Sequence, residues 1–276
     1  MTTWLITGCS TGLGRSLAAA VLAAGHQVVV TARDVQRVQD LADAHPGRAL
    51  ASSLDVTDHD QVRQVVAGAQ ERFGSIDVLV NNAGYGYRGA IEEGDESQVA
   101  ELFATNVFGA VAMIKAVLPG MRARRSGAIV NISSVGARLC FAGSGYYAAS
   151  KAALGSISGS LAYEVEPLGI TVTVVEPGAF RTDFAGRSLM QSPTVIDDDA
   201  ETAGLRRKEH DTSDGTQAGD PDRAAQVLIE AVESDATPRF LLLGTDALFA
   251  YDVTADAQRA EVDAWRERSA WTDFDA

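Results

Sequence analysis

Short apolar segments alternate along this chain with longer segments in which apolar residues recur at helical spacing. The short segments are continuous apolar runs, which is typical of strands buried on both faces of a parallel sheet. Repeated βα units of this kind predict an α/β, doubly wound, Rossmann-like fold, with a mostly parallel seven-stranded sheet and helices on both faces. The predicted strands are TWLITG, QVVVTAR, ALASSLDV, IDVLVNNAG, GAIVNISS, ITVTVVEPG and RFLLLG.

The predicted helices carry residues that favour helix starts and stops. The first, STGLGRSLAAAVLAAG, closes with Gly25, and DHDQVRQVVAGAQERFG has an acidic start and a glycine stop. Further helices are expected over about 35–44 and about 97–122, and around the segment YYAASK. Another resumes near Pro221, with Asp220 in the N-cap position.

Two regions depart from this alternation, although we treat 1–276 as a single domain. Residues 183–220 are polar and charged, and they leave the carboxyl end of the sixth predicted strand, where open α/β sheets bind ligands. They are interpreted as a mobile substrate-binding lid, with a disordered loop as the alternative. The tail, about 245–276, has apolar residues that must cover either the domain's own surface or a partner subunit. They are Leu248, Phe249, Tyr251, Trp265 and Trp271.

Composition and charge narrow the classes of function. The chain has 276 residues, 46% of them hydrophobic, which is ample for a sizeable core. A formal net charge of −14 disfavours binding to nucleic acid or to an anionic membrane surface. There is no run of 18 apolar residues and no charged-then-apolar leader, so we expect a cytoplasmic protein with no membrane partner.

Cysteine and histidine usage gives no sign of a disulfide framework or a metal site. The two cysteines, Cys9 and Cys140, are too few to staple a chain of this length. The four histidines are scattered without the spacing of metal ligands, so no metal is expected.

The segment TGCSTGLG, residues 7–14, predicts a dinucleotide site. Gly8, Gly12 and Gly14 let the backbone approach a pyrophosphate closely, and the following helix supplies free N–H groups and its positive dipole end. The spacing differs by one residue from the G-x-G-x-x-G fingerprint. Three further segments end predicted strands at the same edge of the sheet: NNAG, NISS and EPG.

The segment GSGYYAASKAAL places a tyrosine and a lysine on one helical face. Tyr147 and Lys151 are four residues apart, whereas Tyr146 points well away from the lysine. Taken alone, the pair is equally well interpreted as part of an ordinary surface helix.

Together these motifs resemble the short-chain dehydrogenase/reductase family of the single-domain type. The matching pieces run in the family's order from residue 5 to about 182, whereas 183–276 match only loosely. One departure is Phe180, where the family usually carries a smaller aliphatic residue beside the nicotinamide. The matching pieces are TGCSTGLG, LDVTD, NNAG, Asn106 in ATNVFG, Ser134 in NISS, YAASK and PGAFRT.

The resemblance implies an enzyme that transfers a hydride between a nicotinamide cofactor and a ketone or secondary alcohol. Tyr147 would donate the proton, and Lys151 would lower its pKa and bond the nicotinamide ribose. Ser134 would hydrogen-bond the substrate oxygen, and Asn106 would hold a water that relays protons to Lys151.

The resemblance also implies a set of cofactor contacts. At the end of the second strand, Ala32 stands where NAD-specific folds place a carboxylate, and Arg33 can take a 2′-phosphate. Asp34 could partly neutralise Arg33, and Thr11 stands where many NADP-users carry a second basic residue. We therefore expect NADP(H) to be preferred, with NAD(H) still usable. The expected contacts are Gly8, Ser10, Thr11, Gly12, Leu13, Gly14, Arg33, Asp55, Val56, Asn82, Ala83, Gly84, Tyr147, Lys151, Pro177, Gly178, Phe180 and Thr182.

The substrate and the assembly are less specified by the sequence. Phe141, Tyr146, Phe184 and Met190 are expected to line an apolar pocket for a medium-sized hydrophobic ketone or alcohol, although Tyr146 could instead pack. The resemblance implies a homodimer or homotetramer. Two alternatives stay open: a non-catalytic nucleotide-binding or sensing protein on the same fold, and an epimerase or dehydratase.

Overall fold

The main sheet contains all seven strands that the sequence predicts. A computed structural model describes residues 1–184, 186, 188–213 and 215–274. Its main sheet is parallel throughout, with the strand order β3-β2-β1-β4-β6-β7-β9, which confirms the doubly wound fold. The seven strands are β1 (Thr3–Ile6), β2 (Gln27–Ala32), β3 (Ala49–Ser53), β4 (Val78–Asn81), β6 (Gly127–Ile132), β7 (Ile170–Pro177) and β9 (Phe240–Leu243).

Helices cover both faces of this sheet and divide the core into two clusters. On one face Leu17 and Leu228 bring α1 and α8 against the strands, and on the other Met113 and Leu161 do so for α5 and α6. Burial on both faces explains why the strands are continuously apolar. The helices are α1 (Gly12–Ala23), α2 (Gln39–Ala44), α3 (His59–Phe73), α4 (Glu96–Phe103), α5 (Ala110–Arg124), α6 (Gly145–Val165), α7 (Ala203–Ser213), α8 (Pro221–Glu233) and α9 (Thr245–Ala270).

The helix ends follow local chemistry. The predicted cap of α8 is confirmed, because the Asp220 carboxylate accepts from the N–H groups of Asp222 and Arg223. Helix α3 has an equivalent acidic cap at Asp58 and ends at Gly74, whose φ of 84° favours glycine.

The long helix predicted over about 97–122 spans Glu96–Arg124 but is not continuous. A π-helical segment, Ala104–Gly109, separates α4 from α5 and contains Asn106. By length and composition alone Glu96–Arg124 could cross a bilayer. Half of its most apolar stretch is buried inside the protein, where α5 contributes to the core, so the fold itself accounts for the apolar character.

The region interpreted as a lid contains regular structure that the sequence did not predict. Strand β8 (Leu189–Gln191) pairs in parallel with β5 (Gly86–Arg88), and α7 follows. Strands of three residues and a polar helix leave no clear periodicity in a sequence. The mobility of this region stays a prediction.

The tail forms α9, and most of its large apolar side chains face solvent. Phe249, Trp265 and Trp271 are 71%, 68% and 81% exposed, and the buried residue of the helix is Ala247. The tail therefore covers the domain's own surface only near the start of the helix, where the ring centres of Tyr251 and Phe240 are 5.9 Å apart.

Candidate active site

The candidate site lies at the carboxyl edge of the sheet, where the winding direction reverses between β1 and β4. Open α/β sheets bind ligands at such switch points, because loops from adjacent strands diverge there and leave a crevice. Strands β1, β4, β6 and β7 all end at this edge, and the loops that follow them begin there. They bring Gly8, Asn82, Ser134 and Gly178 to one side of the sheet.

The glycine turn after β1 is tied to the loop after β4. Asn82 Nδ2 donates to the carbonyls of Thr7 and Gly8, at 2.9 and 3.0 Å. In return Thr7 Oγ1 accepts from the N–H groups of Asn82 and Ala83, at 3.0 and 2.9 Å. A Cβ on Gly14 would meet Asn82 Nδ2 and the Gly8 carbonyl oxygen, so the close approach of the two loops requires glycine.

The same turn fits a dinucleotide pyrophosphate. Gly8 and Gly12 have φ values of 72° and 60°, a conformation in which glycine is favoured. Thr11 is the N-cap of α1 but makes no side-chain capping bond, which leaves the amide groups of the first turn available to an anion. Thr182, from the loop after β7, lies 3.3 Å from where a Cβ of Gly12 would stand.

The structure brings Ser134, Tyr147 and Lys151 together beside this turn. Ser134 follows β6, and its hydroxyl lies close enough to Tyr147 to lower the pKa of the phenol, with both side chains against Gly136. Tyr147 and Lys151 lie one turn apart on α6, with Lys151 Nζ 5.9 Å from the centre of the tyrosine ring. The predicted catalytic groups therefore meet at the edge of the sheet that carries the cofactor turn.

The expected effect of Lys151 on the pKa of Tyr147 is wrong for this structure. Burial raises the pKa of Tyr147 to about 12, and the nearby Ser134 hydroxyl offsets this only in part. Lys151 Nζ instead donates to the Ile132 carbonyl at 2.8 Å, and burial lowers the pKa of Lys151 to about 8. Desolvation, which disfavours the charged form of each group, is the main cause of both shifts.

Asn106 lies in the π-helical segment, and its amide links this segment to the loop after β4 and to α6. Its Oδ1 accepts from Tyr85 N at 3.1 Å, and its Nδ2 donates to the Tyr85 carbonyl and to Ser150 Oγ, at 2.9 and 3.1 Å. A Cβ on Gly84 would lie 2.9 Å from Asn106 Oδ1 and 3.3 Å from Lys151 Nζ, so both groups flank this glycine. The water relay stays a prediction, for which Oδ1 retains one lone pair.

Buried polar groups hold α6 against the sheet. Asn81 Nδ2 donates to Asn131 Oδ1 and Asn131 Nδ2 donates to Ser158 Oγ, both at 2.8 Å. Ser133 Oγ donates at 3.0 Å to the carbonyl of Lys151, which lies one turn from Tyr147 on α6. Buried hydrogen bonds of this kind fix geometry, and these fix the helix that carries Tyr147, although Asn81 Oδ1 has no partner among the described residues.

The adenosine side of the expected cofactor site carries an exposed cation. Arg33 is exposed at the end of β2 and forms no ion pair within the described residues. Asp34 accepts from Gln36 N at 3.1 Å and caps a short helical turn. Asp55 accepts from the N–H and hydroxyl of Thr57, at 2.9 and 2.7 Å. Val56 is buried, so it can offer a cofactor only its backbone.

The loop after β7 is braced from two sides. Phe180 pairs with Gly219, and its ring packs against Gly219 rather than standing free. On the other side Asp246, in the first turn of α9, accepts from Ala179 N at 2.7 Å, and a Cβ on Gly178 would collide with its carboxylate. The segment that contains Pro177 and Gly178 is thus held in place beside the glycine turn.

Of the four residues expected to bind substrate, Phe184 lies at the catalytic group. Its ring centre is 5.6 Å from that of Tyr147. Tyr146 packs, because its hydroxyl donates to the Ile91 carbonyl at 2.8 Å and its ring meets that of Tyr87 edge-on. The other two lie in or beside the lid: Phe141, under the Arg206 guanidinium, and Met190, in β8.

A buried ion pair that anchors the lid was missed by the sequence analysis. Glu93 is buried after β5, pairs with Arg207 of α7, and accepts from Ile196 N at 2.9 Å. Burial raises the pKa of Glu93, but the contacts with Arg207 and backbone N–H groups outweigh it and hold the pKa below its ordinary value. The partners are more than a hundred residues apart, and a glutamate in a polar segment gives no sign of burial. Among the described residues, no cluster of three potential metal ligands occurs.

Sequence comparison places this chain among known oxidoreductases. A model of the short chain dehydrogenase family matches residues 2–192. An oxidoreductase of Botryotinia fuckeliana is 39% identical over 96% of this chain and 97% of its own. A 3-ketodihydrosphingosine reductase of Bacteroides thetaiotaomicron is 40% identical, covering 73% and 72%. Retinol dehydrogenase 8 of Homo sapiens is 42% identical, covering 68% and 62%.

Solved structures agree with this placement. A short-chain dehydrogenase from Streptomyces avermitilis has a TM-score of 0.92 at 44% identity, over 99% of this chain and 100% of its own. An alcohol dehydrogenase from Thermococcus sibiricus, complexed with 5-hydroxy-NADP, has a TM-score of 0.73 at 25% identity, covering 88% and 96%. A 3-ketoacyl-(acyl-carrier-protein) reductase from Brucella melitensis, complexed with NADH, scores 0.74 at 25% identity, covering 87% and 95%. The glycine turn, the Ser134–Tyr147–Lys151 group and these matches agree, and the chain belongs to the short-chain dehydrogenase family.

Proposed function

We propose that this protein is an NADP(H)-preferring oxidoreductase that interconverts a hydrophobic ketone and a secondary alcohol, with Tyr147 as proton donor and acceptor. One observation carries the proposal: the hydroxyl-bearing side chains of Ser134 and Tyr147 lie together against Gly136, beside a cofactor-type glycine turn. A carbonyl oxygen placed between these hydroxyls receives one hydrogen bond from each. A bound nicotinamide supplies or accepts the hydride.

The proton chemistry follows from the burial of the site. With a pKa of about 12, Tyr147 is protonated throughout the neutral range and stands ready to donate to the oxygen of a reduced carbonyl. Ser134 shares the charge that develops on that oxygen. Lys151, one turn away and close to Gly84, is placed to bond ribose hydroxyls, and its charge then favours the phenolate.

The preference for NADP(H) rests on the end of β2. Ala32 offers no carboxylate to repel a 2′-phosphate, and Arg33 presents an exposed guanidinium without an ion-pair partner among the described residues. Asp34 is engaged with Gln36 N, which weakens the case that it neutralises Arg33. Structural relatives bound to 5-hydroxy-NADP and to NADH support a nicotinamide cofactor, and Arg33 supports the choice between the two.

The substrate class rests on Phe184 and on the relatives. Phe184 places an apolar ring against Tyr147, where the group attached to the carbonyl would lie. One relative is named for the reduction of a ketone, and another is named for the dehydrogenation of retinol, a hydrophobic primary alcohol. The exposed aromatic residues of α9 support assembly as a homodimer or homotetramer, which light scattering of the purified protein tests.

The decisive experiment follows NADPH absorbance with a panel of aliphatic and aromatic ketones. Net loss of NADPH supports a reductase. An epimerase would convert its substrate without net loss, and a nucleotide sensor would bind NADPH without turnover. Equal efficiency with NADH and NADPH would reject the proposed cofactor preference and leave the reductase intact.

A further inference from the structure

The loop that carries Ser134 is closed by an arginine with no role in the proposed chemistry. Ser134 begins a short helical turn, Val135–Ala137, by accepting from Gly136 N at 3.0 Å. Arg138 follows at once, and its Nε donates to Glu176 Oε2 at 2.7 Å. Glu176 lies on β7 immediately before Pro177, so the ion pair joins the Ser134 loop to the strand that leads to the other side of the site.

Two aromatic rings cover this ion pair. The Arg138 guanidinium carbon lies 4.3 Å from the ring centre of Phe240 and 5.3 Å from that of Tyr251. Phe240 begins β9 and Tyr251 lies in the second turn of α9, so four elements meet at one guanidinium. A cation stacked on aromatic faces is held in orientation as well as in place.

The burial of Glu176 makes the arginine necessary. The Glu176 side chain is only 5% exposed, whereas that of Arg138 is 39% exposed. Burial raises the pKa of Glu176, and the contact with Arg138 offsets part of the increase. A buried carboxylate without a partner is costly, so loss of Arg138 would force Glu176 to take up a proton or to move.

We propose that Arg138 and Glu176 are positioning residues, and that their ion pair, clamped by Phe240 and Tyr251, holds Ser134 within reach of Tyr147. This inference rests on the proposed function, because it concerns the same catalytic serine. It gives the start of α9 a role in the site: Tyr251 steadies Arg138, which fixes the Ser134 loop. Misplacement of such a group by about 1 Å costs up to about 10²-fold in rate.

The chain offers a matched control in a second arginine with the same kinds of partner. Arg239 pairs with Glu166 at 2.6 Å and stacks on Tyr163 at 4.6 Å, but neither partner contacts Ser134 or Tyr147. Arg138→Met and Arg239→Met thus remove the same chemistry, once next to the Ser134 loop and once away from it. Arg138→Lys restores the charge without the planar stack.

The test measures kcat, KM and thermal stability for these variants with the ketone that the wild type reduces best. Arg138→Met should lower kcat by about tenfold or more, with KM for NADPH nearly unchanged, and Arg138→Lys should recover part of the loss. Arg239→Met should keep kcat within about twofold of the wild type. If Arg138→Met keeps full kcat, or if both methionine variants lose kcat equally, the proposal is overturned.

Two further measurements separate this proposal from its alternatives. If Arg138→Met fails to fold, Tyr251→Leu removes the ring and keeps the ion pair, and it should lower kcat by a few-fold while Arg239→Met does not. A crystal structure of Arg138→Met, or of Tyr251→Leu in its place, does not depend on activity. It should show Ser134 Oγ displaced from the Tyr147 hydroxyl, and an undisplaced Ser134 would contradict the proposal even if the proposed reaction proved wrong.

Discussion

The two halves of the site are held together in different ways. On the cofactor side, Thr7 and Asn82 join loops that leave adjacent strands of the main sheet, through four hydrogen bonds of 2.9 to 3.0 Å. On the substrate side, the lid is attached through a pair of three-residue strands outside the main sheet and through the Glu93–Arg207 ion pair.

This difference separates what the site must keep from what it can change. The cofactor loops cannot move without disturbing β1 and β4, whose residues lie in the core. The lid can open by breaking a few contacts while the seven-stranded sheet stays intact, and such locally weak regions are where proteins move. We therefore expect cofactor geometry to be preformed and substrate geometry to depend on the lid.

The largest effect is expected at Tyr147, where the cofactor side and the substrate side of the site meet. Tyr147→Phe removes the hydroxyl proposed to donate the proton, so kcat should fall by at least about 10²-fold while NADPH still binds. Tyr146→Phe is the matched control, because its hydroxyl bonds the Ile91 carbonyl instead, and it should cost far less. Steady-state kinetics and NADPH titration check both variants. An active Tyr147→Phe enzyme would remove Tyr147 from the mechanism.

The second-largest effect is expected on the cofactor side of the site. Arg33→Ala should weaken the binding of NADPH by roughly ten- to a hundredfold, since a charge-assisted contact contributes about 1.5–3 kcal/mol. NADH lacks the 2′-phosphate and should bind almost as before. Kinetics with both cofactors measure this, with Arg37→Ala, another exposed arginine nearby, as the control. A parallel loss of NADH binding would mean that Arg33 supports the fold rather than the phosphate.

A smaller effect is expected at the anchor of the lid. Glu93→Gln leaves Arg207 without its carboxylate, so amide exchange in β8 and α7 should accelerate by about tenfold, the equivalent of ~1.4 kcal/mol of local opening. Glu209→Gln breaks the exposed Arg206–Glu209 pair on the same helix and should change exchange little. Hydrogen exchange of the main sheet should be unaffected in both.

The same anchor should respond to acid in the wild type. The pKa of Glu93 in the folded protein lies below its ordinary value of 4.5, so the pair contributes fully above that pH. Its contribution is lost as the pH falls through the lower folded value. Exchange in α7, measured relative to the intrinsic exchange rate at each pH, should therefore rise in that acidic range in the wild type but not in Glu93→Gln.

The smallest effect concerns ligand binding. The described part of 185–218 should exchange faster without ligand than with cofactor and substrate bound, as closing loops do. Hydrogen exchange on the free protein and on the ternary complex measures this. Equal protection in the two states would leave this region a surface loop rather than a lid.

The sequence predicted the main sheet and the grouping of Ser134, Tyr147 and Lys151 because both rest on local patterns. Continuous apolar runs identify buried parallel strands, and a four-residue spacing on a helix identifies a shared face. The family resemblance then ordered these pieces correctly. The π-helical segment around Asn106 escaped prediction, because one irregular turn leaves the apolar pattern of a long helix almost unchanged.

The sequence failed where a property depends on burial or on distant partners. The pKa of Tyr147 rises instead of falling because desolvation, which no spacing reveals, is the largest influence on it. The pairs Glu93–Arg207 and Arg138–Glu176 join residues far apart in the chain. In a sequence each partner is one more charged residue among many, so only the fold shows that they meet.

The burial of Cys9 has a consequence for chemical labelling. Its thiol lies in the glycine turn, donates to the Ile6 carbonyl at 3.2 Å and has a pKa that burial raises to about 12. Since the thiolate is the reactive form, alkylating reagents and mild oxidants should leave Cys9 unmodified and react with the exposed Cys140. A fluorophore attached through maleimide chemistry would then occupy a single known position, between the Ser134 loop and α6, in the otherwise unaltered wild-type protein.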